Sequence, residues 1–344
     1  MKLAVVSTQV FQLPISGYSG LEVLAFELAK GFAARGHSTT IMAPDGSECP
    51  GCQVIPCGLA GQTNEHQAYD KYWKYLASFD AIVDHSWQKY CYLGKAEGIL
   101  PNTSVLGVWH APINTCIGAL PPGVDKPNFT CISHDQKAHF DALFCPREAK
   151  VAYNGCDTEL YKPLNVPRSD RYLFLARFSS IKGADLAIEA CLQTGVGLDL
   201  VGDTSITNEP DYFNACKARC DGKQVRMVGP CSRGETVWWF SQARALLHMA
   251  QRFREPFGLA PVEAQLCGCP VLAFDYGALR ETVLDGKTGH LVRGLDEVVG
   301  LIRSNAVDRL DRDYCRSWSM KFGLDNFVGG YLALIEEALA TGGW

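Results

Sequence analysis

Short apolar runs alternate with helical patterns along nearly the whole of this chain, and the alternation stops once and starts again. The first series places strands at 2–7, 38–43, 81–84, 104–110, 128–133 and 150–153. Between the first two lies a helix at 21–35, with Leu21, Leu24, Ala25, Leu28, Ala29 and Phe32 on one face and Gly36 at its end. Asn154-Gly155-Cys156-Asp157, then Pro163 and Pro167, interrupt the pattern as a linker. It resumes with strands at 172–176, 197–201, 224–228, 245–249 and 270–274. This alternation means α/β units with parallel sheets. Two such units, each presenting the carboxyl ends of its strands, predict a ligand cleft. A last segment, 325–339, is amphipathic, with Phe327, Tyr331, Leu332, Ile335 and Leu339 at helical spacing.

The length of 344 residues suits two domains. A hydrophobic content of 47% with 20% charged residues excludes a disordered chain. A net charge of only −5 offers no basic field for nucleic acid. No apolar run approaches the ~20 residues of a membrane span. The opening Met1-Lys-Leu-Ala-Val-Val is expected to form a buried strand rather than a signal peptide. On that expectation the 15 cysteines are reduced thiols. Cys49-Pro-Gly-Cys52 has the spacing of half a zinc knuckle, with Cys57 nearby and no second pair at zinc-finger spacing. A metal or a disulfide stays open for this cluster, and most other cysteines read as small buried hydrophobes.

The chemistry concentrates in Glu255-Pro-Phe-Gly-Leu-Ala-Pro-Val-Glu263-Ala-Gln-Leu-Cys-Gly268-Cys-Pro270-Val271. The run 259–267 is apolar enough for a buried helix, which Gly268 and Pro270 then stop. Glu255 precedes that helix, Gly258 and Leu259 offer N–H groups at its start, and Glu263 lies about a turn inside. Helix-start N–H groups bind anions, and flanking carboxylates hold hydroxyls. That combination suits a sugar nucleotide. A second element, Ala176-Arg177-Phe-Ser-Ser-Ile-Lys182-Gly183, sets two cations across a strand–helix turn, able to converge on one diphosphate.

These two segments resemble the signature of family 4 glycosyltransferases. The two-Glu spacing, the Phe-Gly and Glu-Ala pairs and the Gly-x-Pro-Val ending match. Arg177, Lys182 and Gly183 match the family's Gly-Arg-x4-Lys-Gly, with Ala176 for the first glycine. Asn154-Gly155-Cys156-Asp157 resembles the family's Asn-Gly-Val-Asp, and Val228-Gly229-Pro230 its base-contacting loop. The glycine loop Ser16-Gly17-Tyr18-Ser19-Gly20 departs, with Ser19 where the first glycine of a pair is usual.

The resemblance implies the GT-B fold: two Rossmann-like domains facing across a cleft, with a C-terminal helix crossing back to the first. It sets an acceptor domain at 1–160 with the helix from about 320 to 344, Trp318 included by analogy, and a donor domain at 165–318. It further implies a retaining, metal-independent hexosyltransferase that needs no cofactor beyond its nucleotide-sugar donor, for which UDP is the leading base. His110, Arg177, Lys182 and Glu255 would be catalytic, with Arg177 and Lys182 stabilising the leaving diphosphate. Gly20, Val228, Gly229, Phe257, Gly258, Leu259 and Glu263 would bind donor. His110 is read as closing the strand 104–110 and facing the cleft, with His85 as a weaker candidate for the same wall.

Acceptor loops at 58–67 and 113–125 carry no legible code. A sugar, lipid-linked, natural-product or small-metabolite acceptor stays open, as does the oligomeric state. The aromatic stripe at Tyr69, Tyr72, Trp73 and Leu76 reads as packing before membrane contact. Location is expected to be cytoplasmic, with the inner face of the membrane as the alternative. Two competing readings are a GT-B-like sugar-nucleotide epimerase and a non-catalytic nucleotide-sugar-binding protein.

Overall fold

The computed structural model describes residues 1–15, 17, 19–115, 123–145, 147–204 and 207–344. Its contacts divide the chain into two units, Met1–Gly155 with Leu324–Trp344, and Cys156–Gly323.

The first unit is built on a five-stranded parallel sheet of β1 (Lys2–Val6), β2 (Ser38–Ala43), β3 (Gln53–Pro56), β4 (Ala81–Asp84) and β5 (Ser104–Gly107), in the order β3-β2-β1-β4-β5. A parallel pair of β6 (Thr130–Cys131) and β7 (Lys150–Val151) continues from it through a bridge between Val108 and Thr130. Residues 2–6 alternate neither in polarity nor in burial after Lys2, because a central parallel strand is covered on both faces. The sequence pattern missed β3, whose Pro56 lowers its strand character. At a sheet edge a proline leaves no ladder bond unmade. Helix α1 (Leu21–Ala34) buries Leu24, Ala25, Leu28, Ala29 and Phe32, as its apolar face predicts.

The second unit carries six parallel strands: β8 (Tyr172–Leu175), β9 (Leu198–Val201), β10 (Val225–Gly229), β11 (Leu246–His248), β12 (Val271–Phe274) and β13 (Gly289–Val292). Their order, β10-β9-β8-β11-β12-β13, reverses direction between β8 and β11. This is the doubly wound Rossmann order, and ligands bind such sheets outside the strand carboxyl ends at that reversal. Helix α2 (Ala184–Thr194) lies against this sheet, and α3 (Leu259–Leu266) links the signature glutamates.

The last helix, α4 (Leu324–Thr341), belongs to the first unit. It buries Phe327, Tyr331 and Ile335 as expected, but Leu334 and Ala338 complete the face, and Leu339 is exposed. It approaches α1 so closely that a Cβ on Gly31 would meet Val328 at 2.4 Å. Asp325 and Glu337 of α4 pair with Arg35 and Lys150. Trp318 does not share this role. Its indole donates to Thr282 O at 3.1 Å within the second unit, and Met320–Phe322 stay there too. The crossing therefore begins at Leu324, because Gly323 and Phe322 are tied back to Cys156 and Thr158.

Candidate active site

In the second unit the reversal point is lined from both sides. Arg177 follows β8, His248 ends β11, and the chain beyond β11 returns Glu255 to the same region. Lys182 Nζ donates to Glu255 Oε2 at 2.7 Å, with both side chains nearly buried. The same ammonium lies 4.8 Å from the centre of the Phe253 ring. His248 Nε2 stands 3.3 Å from Glu255 Oε2, at an angle that makes no hydrogen bond. Burial pushes the Glu255 carboxyl up, but the Lys182 ammonium and then His248 outweigh it and hold the group down at about 2. Glu255 is thus an ionised carboxylate in a dry setting. Its backbone is fixed as well: it bridges Gly277, and Ala278 N donates to its carbonyl at 2.8 Å. The segment Asp275-Tyr-Gly277-Ala278, beyond β12, serves as a clamp on Glu255.

Arg177 is half-buried, and its Nε is a buried donor without a hydrogen-bond partner in the protein. A guanidinium left this way is poised for an anion, because an unmet buried donor is costly. Gly258 opens α3 with no side-chain cap, so the first-turn N–H groups are left to another acceptor. Leu259 is half-buried at that first turn. Glu263 is half-buried too. Burial raises its carboxyl, opposed by the Arg233 charge and a hydrogen bond from the Tyr161 hydroxyl. Val228 and Gly229 end β10, with Val228 43% exposed and the Gly229 carbonyl accepting from Gly202 N.

Phe257 turns its side chain into the core. It is 1% exposed and packs edge-on against Phe322 at 5.4 Å. The ring anchors the loop before α3 in the core.

In the first unit the strand expected at 104–110 stops at Gly107, and His110 lies three residues beyond it. Val108 N still donates to Asp84 O at 3.0 Å and Val108 pairs with Thr130 as a single bridge, and regular pairing ends before His110. His85 follows β4, and its Nδ1 stands 2.8 Å from His110 Nε2. The two rings stack, centroids 5.0 Å apart. Burial, and then the Lys89 ammonium, push the His110 imidazole down to about 3. Burial, with His110 and Lys89, holds His85 well below its usual range. Both rings are neutral at physiological pH. Gly20 caps α1, and Glu22 in its first turn accepts from the Thr8 and Ser19 hydroxyls. Ser19, in place of a glycine, thus ties the loop to α1. Ser16 and Tyr18 of that loop, and 116–122 of the acceptor loop 113–125, lie outside the described residues.

Residues 159–304 match the family model for glycosyl transferases group 1. The second unit is a glycosyl transferases group 1 domain. The resemblance to family 4 glycosyltransferases read from the sequence therefore stands. A D-inositol 3-phosphate glycosyltransferase of Catenulispora acidiphila is 31% identical over 226 residues, covering 57% of this chain and 53% of that protein. The chain spans about half the length of the curated relatives it matches. Among solved structures, AviGT4, a glycosyltransferase involved in avilamycin A biosynthesis, aligns with a TM-score of 0.77 at 24% identity, over 99% of this chain and 98% of its own. Anabaena Alr3699/HepE, solved with UDP, aligns at 0.77 and 19% identity, over 98% of this chain and 100% of its own. These likenesses show the GT-B fold.

Within the group 1 domain, Arg177, Lys182, Val228, Gly229, Glu255 and Glu263 all fall inside the matched residues. Sequence reasoning passed over His248, Phe253, Arg233 and Tyr161. His248 carried a usable signal, a polar residue closing an apolar strand. The other three had none, since each meets its glutamate or lysine only through folding. Among the described residues, no three His, Cys, Asp or Glu side chains gather as a metal site requires. None of the described helices is long and apolar enough to cross a membrane.

Proposed function

We propose that this chain is a retaining hexosyltransferase that moves a sugar from a nucleotide donor, UDP-linked, to an acceptor hydroxyl without a metal ion. The observation that carries the reading is the ionised Glu255–Lys182 pair at the β8/β11 reversal. Breaking a glycosyl–phosphate bond leaves negative charge on the departing diphosphate and positive character on the sugar. Fixed cations and N–H donors in a dry site stabilise the first without reorganising. The Arg177 guanidinium, the Lys182 ammonium and the uncapped start of α3 supply that charge. An ammonium has three N–H donors, so Lys182 can hold Glu255 and still meet a phosphate oxygen. Glu255 takes sugar hydroxyls and Glu263 the ribose, while Val228 and Gly229 border the base. HepE, which shares the fold, was solved with UDP and also with UDP-glucose.

No side chain is placed as a covalent nucleophile. The leaving phosphate deprotonates the acceptor on the face it departs from, which retains configuration. A glycosyl–enzyme adduct trapped during turnover would sink this step.

The donor test is thermal stabilisation by UDP, GDP or ADP and their sugar conjugates in EDTA. Ligand at ~100 times its Kd adds about 2.7 kcal/mol. A shift selective for uridine, present in EDTA and lost in Arg177→Ala, is the expected result. No shift with any of them would overturn the reading.

His110 acts here as a neutral hydrogen-bond donor to the sugar, and His85 sets which nitrogen donates. His85 Nε2 is buried with no hydrogen-bond partner. A proton there would be an orphaned donor, rarer and costlier than an unmet acceptor. The proton therefore sits on His85 Nδ1 and is donated to His110 Nε2, which leaves Nδ1–H of His110 for the sugar. His85→Asn keeps a donor near the Nδ1 position and should stay close to wild-type activity. His85→Phe should lose about tenfold, the worth of one hydrogen bond near 1.5 kcal/mol. Nitrogen-15 NMR of His110 should show the Nδ1–H tautomer, and the opposite tautomer would refute the assignment.

A further inference from the structure

Outside the site just described, the loop between β2 and β3 holds two thiols at contact distance. Cys49 Sγ and Cys52 Sγ are 3.4 Å apart. The turn that joins them explains the approach. Pro50 presets the first central position, and Gly51 occupies the second at φ +76°. Cys52 N donates to Cys49 O at 3.1 Å. These are the marks of a type II turn, which Pro-Gly favours at its centre. Such a turn brings its end Cα atoms within about 7 Å, inside the range a disulfide spans. The turn is also held in place. Cys49 Sγ contacts Phe26 O of α1 at 3.9 Å, and Gly51 rests so near α1 that a Cβ would meet Ala33 at 3.2 Å. Neither thiol needs the backbone to travel in order to meet the other.

We propose that Cys49 and Cys52 form a reversible disulfide site, closed by a small-molecule disulfide of the glutathione type. The two thiols differ in the way exchange requires. Cys52 is half-buried and open to solvent, whereas Cys49 is buried. The Cys49 thiol, as hydrogen-bond partner, favours the thiolate at Cys52 against the opposing effect of burial. The Cys52 thiolate attacks one sulfur of the reagent, expels one thiolate and becomes a mixed disulfide. Cys49 then releases its proton to water, attacks Cys52 Sγ and expels the second thiolate. Two protein thiols are oxidised and one reagent disulfide is reduced to two thiols, so atoms and electrons balance. Cys57 is not part of the site: it is fully buried, with its thiol turned to Ile55 O at 3.2 Å. Among the described residues no third metal ligand joins the pair.

The test uses the whole protein in oxidised and reduced glutathione buffers, followed by alkylation, trypsin and mass spectrometry. No Lys or Arg lies between Arg35 and Lys71, so Cys49, Cys52 and Cys57 share one peptide. Wild type and Cys57→Ser should both show this peptide losing two hydrogens, reversibly with reduced glutathione. Cys49→Ser should instead retain a glutathione adduct on Cys52, and Cys52→Ser should show no loss. A wild-type peptide that keeps its adduct without closing, or a loss of hydrogens that survives Cys52→Ser, would overturn the proposal. Because sugar transfer is not the readout, its outcome is independent of the function proposed above.

Discussion

Lys182→Met is expected to remove about 3–5 kcal/mol of folding stability, the usual cost of stranding one partner of a buried pair. It should also slow sugar transfer a hundred- to thousandfold, as loss of one oriented transition-state donor does. The stability term follows from Glu255. Its carboxyl moves from an ordinary 4.5 to about 2 in the folded protein. That depression is worth about 3 kcal/mol. The sign is that of a lowered acid. The contribution is complete above the unfolded value and is lost as pH falls from there toward about 2. In the variant the desolvation stays and the attraction goes, so the carboxyl rises and its penalty is largest at neutral pH. Denaturant melts should therefore show wild type and Lys182→Met converging as pH falls from about 7 to about 4. A gap that stays constant over that range would refute the pairing. The double variant Lys182→Met/Glu255→Gln separates stability from catalysis. Removing both charges should restore most of the stability while leaving transfer slow.

Gly183→Ala is expected to cost about 2–5 kcal/mol, against about 1–2 kcal/mol for Gly195→Ala at the other end of the same helix. The two glycines have nearly the same backbone, φ +74° at Gly183 and +76° at Gly195. Any L-residue is strained in that left-handed region. The difference lies in what surrounds them. A Cβ at Gly183 would stand 2.0 Å from the Met249 carbonyl, whereas one at Gly195 would meet nothing within 4 Å. Met249 directly follows β11, so relief at Gly183 must displace the segment between His248 and Glu255 or shift Lys182. Transfer should fall along with stability in Gly183→Ala, and hardly at all in Gly195→Ala. Equal melting shifts for the two variants would refute the backbone clash.

Gly183 also illustrates how far the sequence could be read. Its place beside Lys182 in a motif was legible, as were the strands Ser38–Ala43 and Ala81–Asp84, whose ends match the apolar runs. Apolar periodicity reports burial, and in a parallel sheet burial and strand extent nearly coincide. Where they part, the reading slipped. The apolar run through Trp109 outlasts β5, because Val108 and Trp109 stay buried where regular pairing gives way to a single bridge with Thr130. Phe257 was singled out by its motif, yet it is core packing, since a motif records identity and not the direction a ring takes. Cys49 and Cys52 were visible as a spaced pair, but only folding shows that their sulfurs meet and that, among the described residues, no third metal ligand joins them.

The amino-acid sequence by itself determined the α/β alternation, the break near Asn154 and the two charged segments, because periodicity, turn residues and local spacing are properties of neighbours along the chain. Tertiary structure alone decided that Lys182 meets Glu255 across 73 positions and that His85 meets His110 across 25. Such pairings depend on strand order, and crossover connections place distant strands side by side without leaving a mark in the local pattern. Ionisation follows the same division. A glutamate in a sequence has an ordinary acidity, and only the surrounding burial and the ammonium beside it hold Glu255 charged where water is scarce.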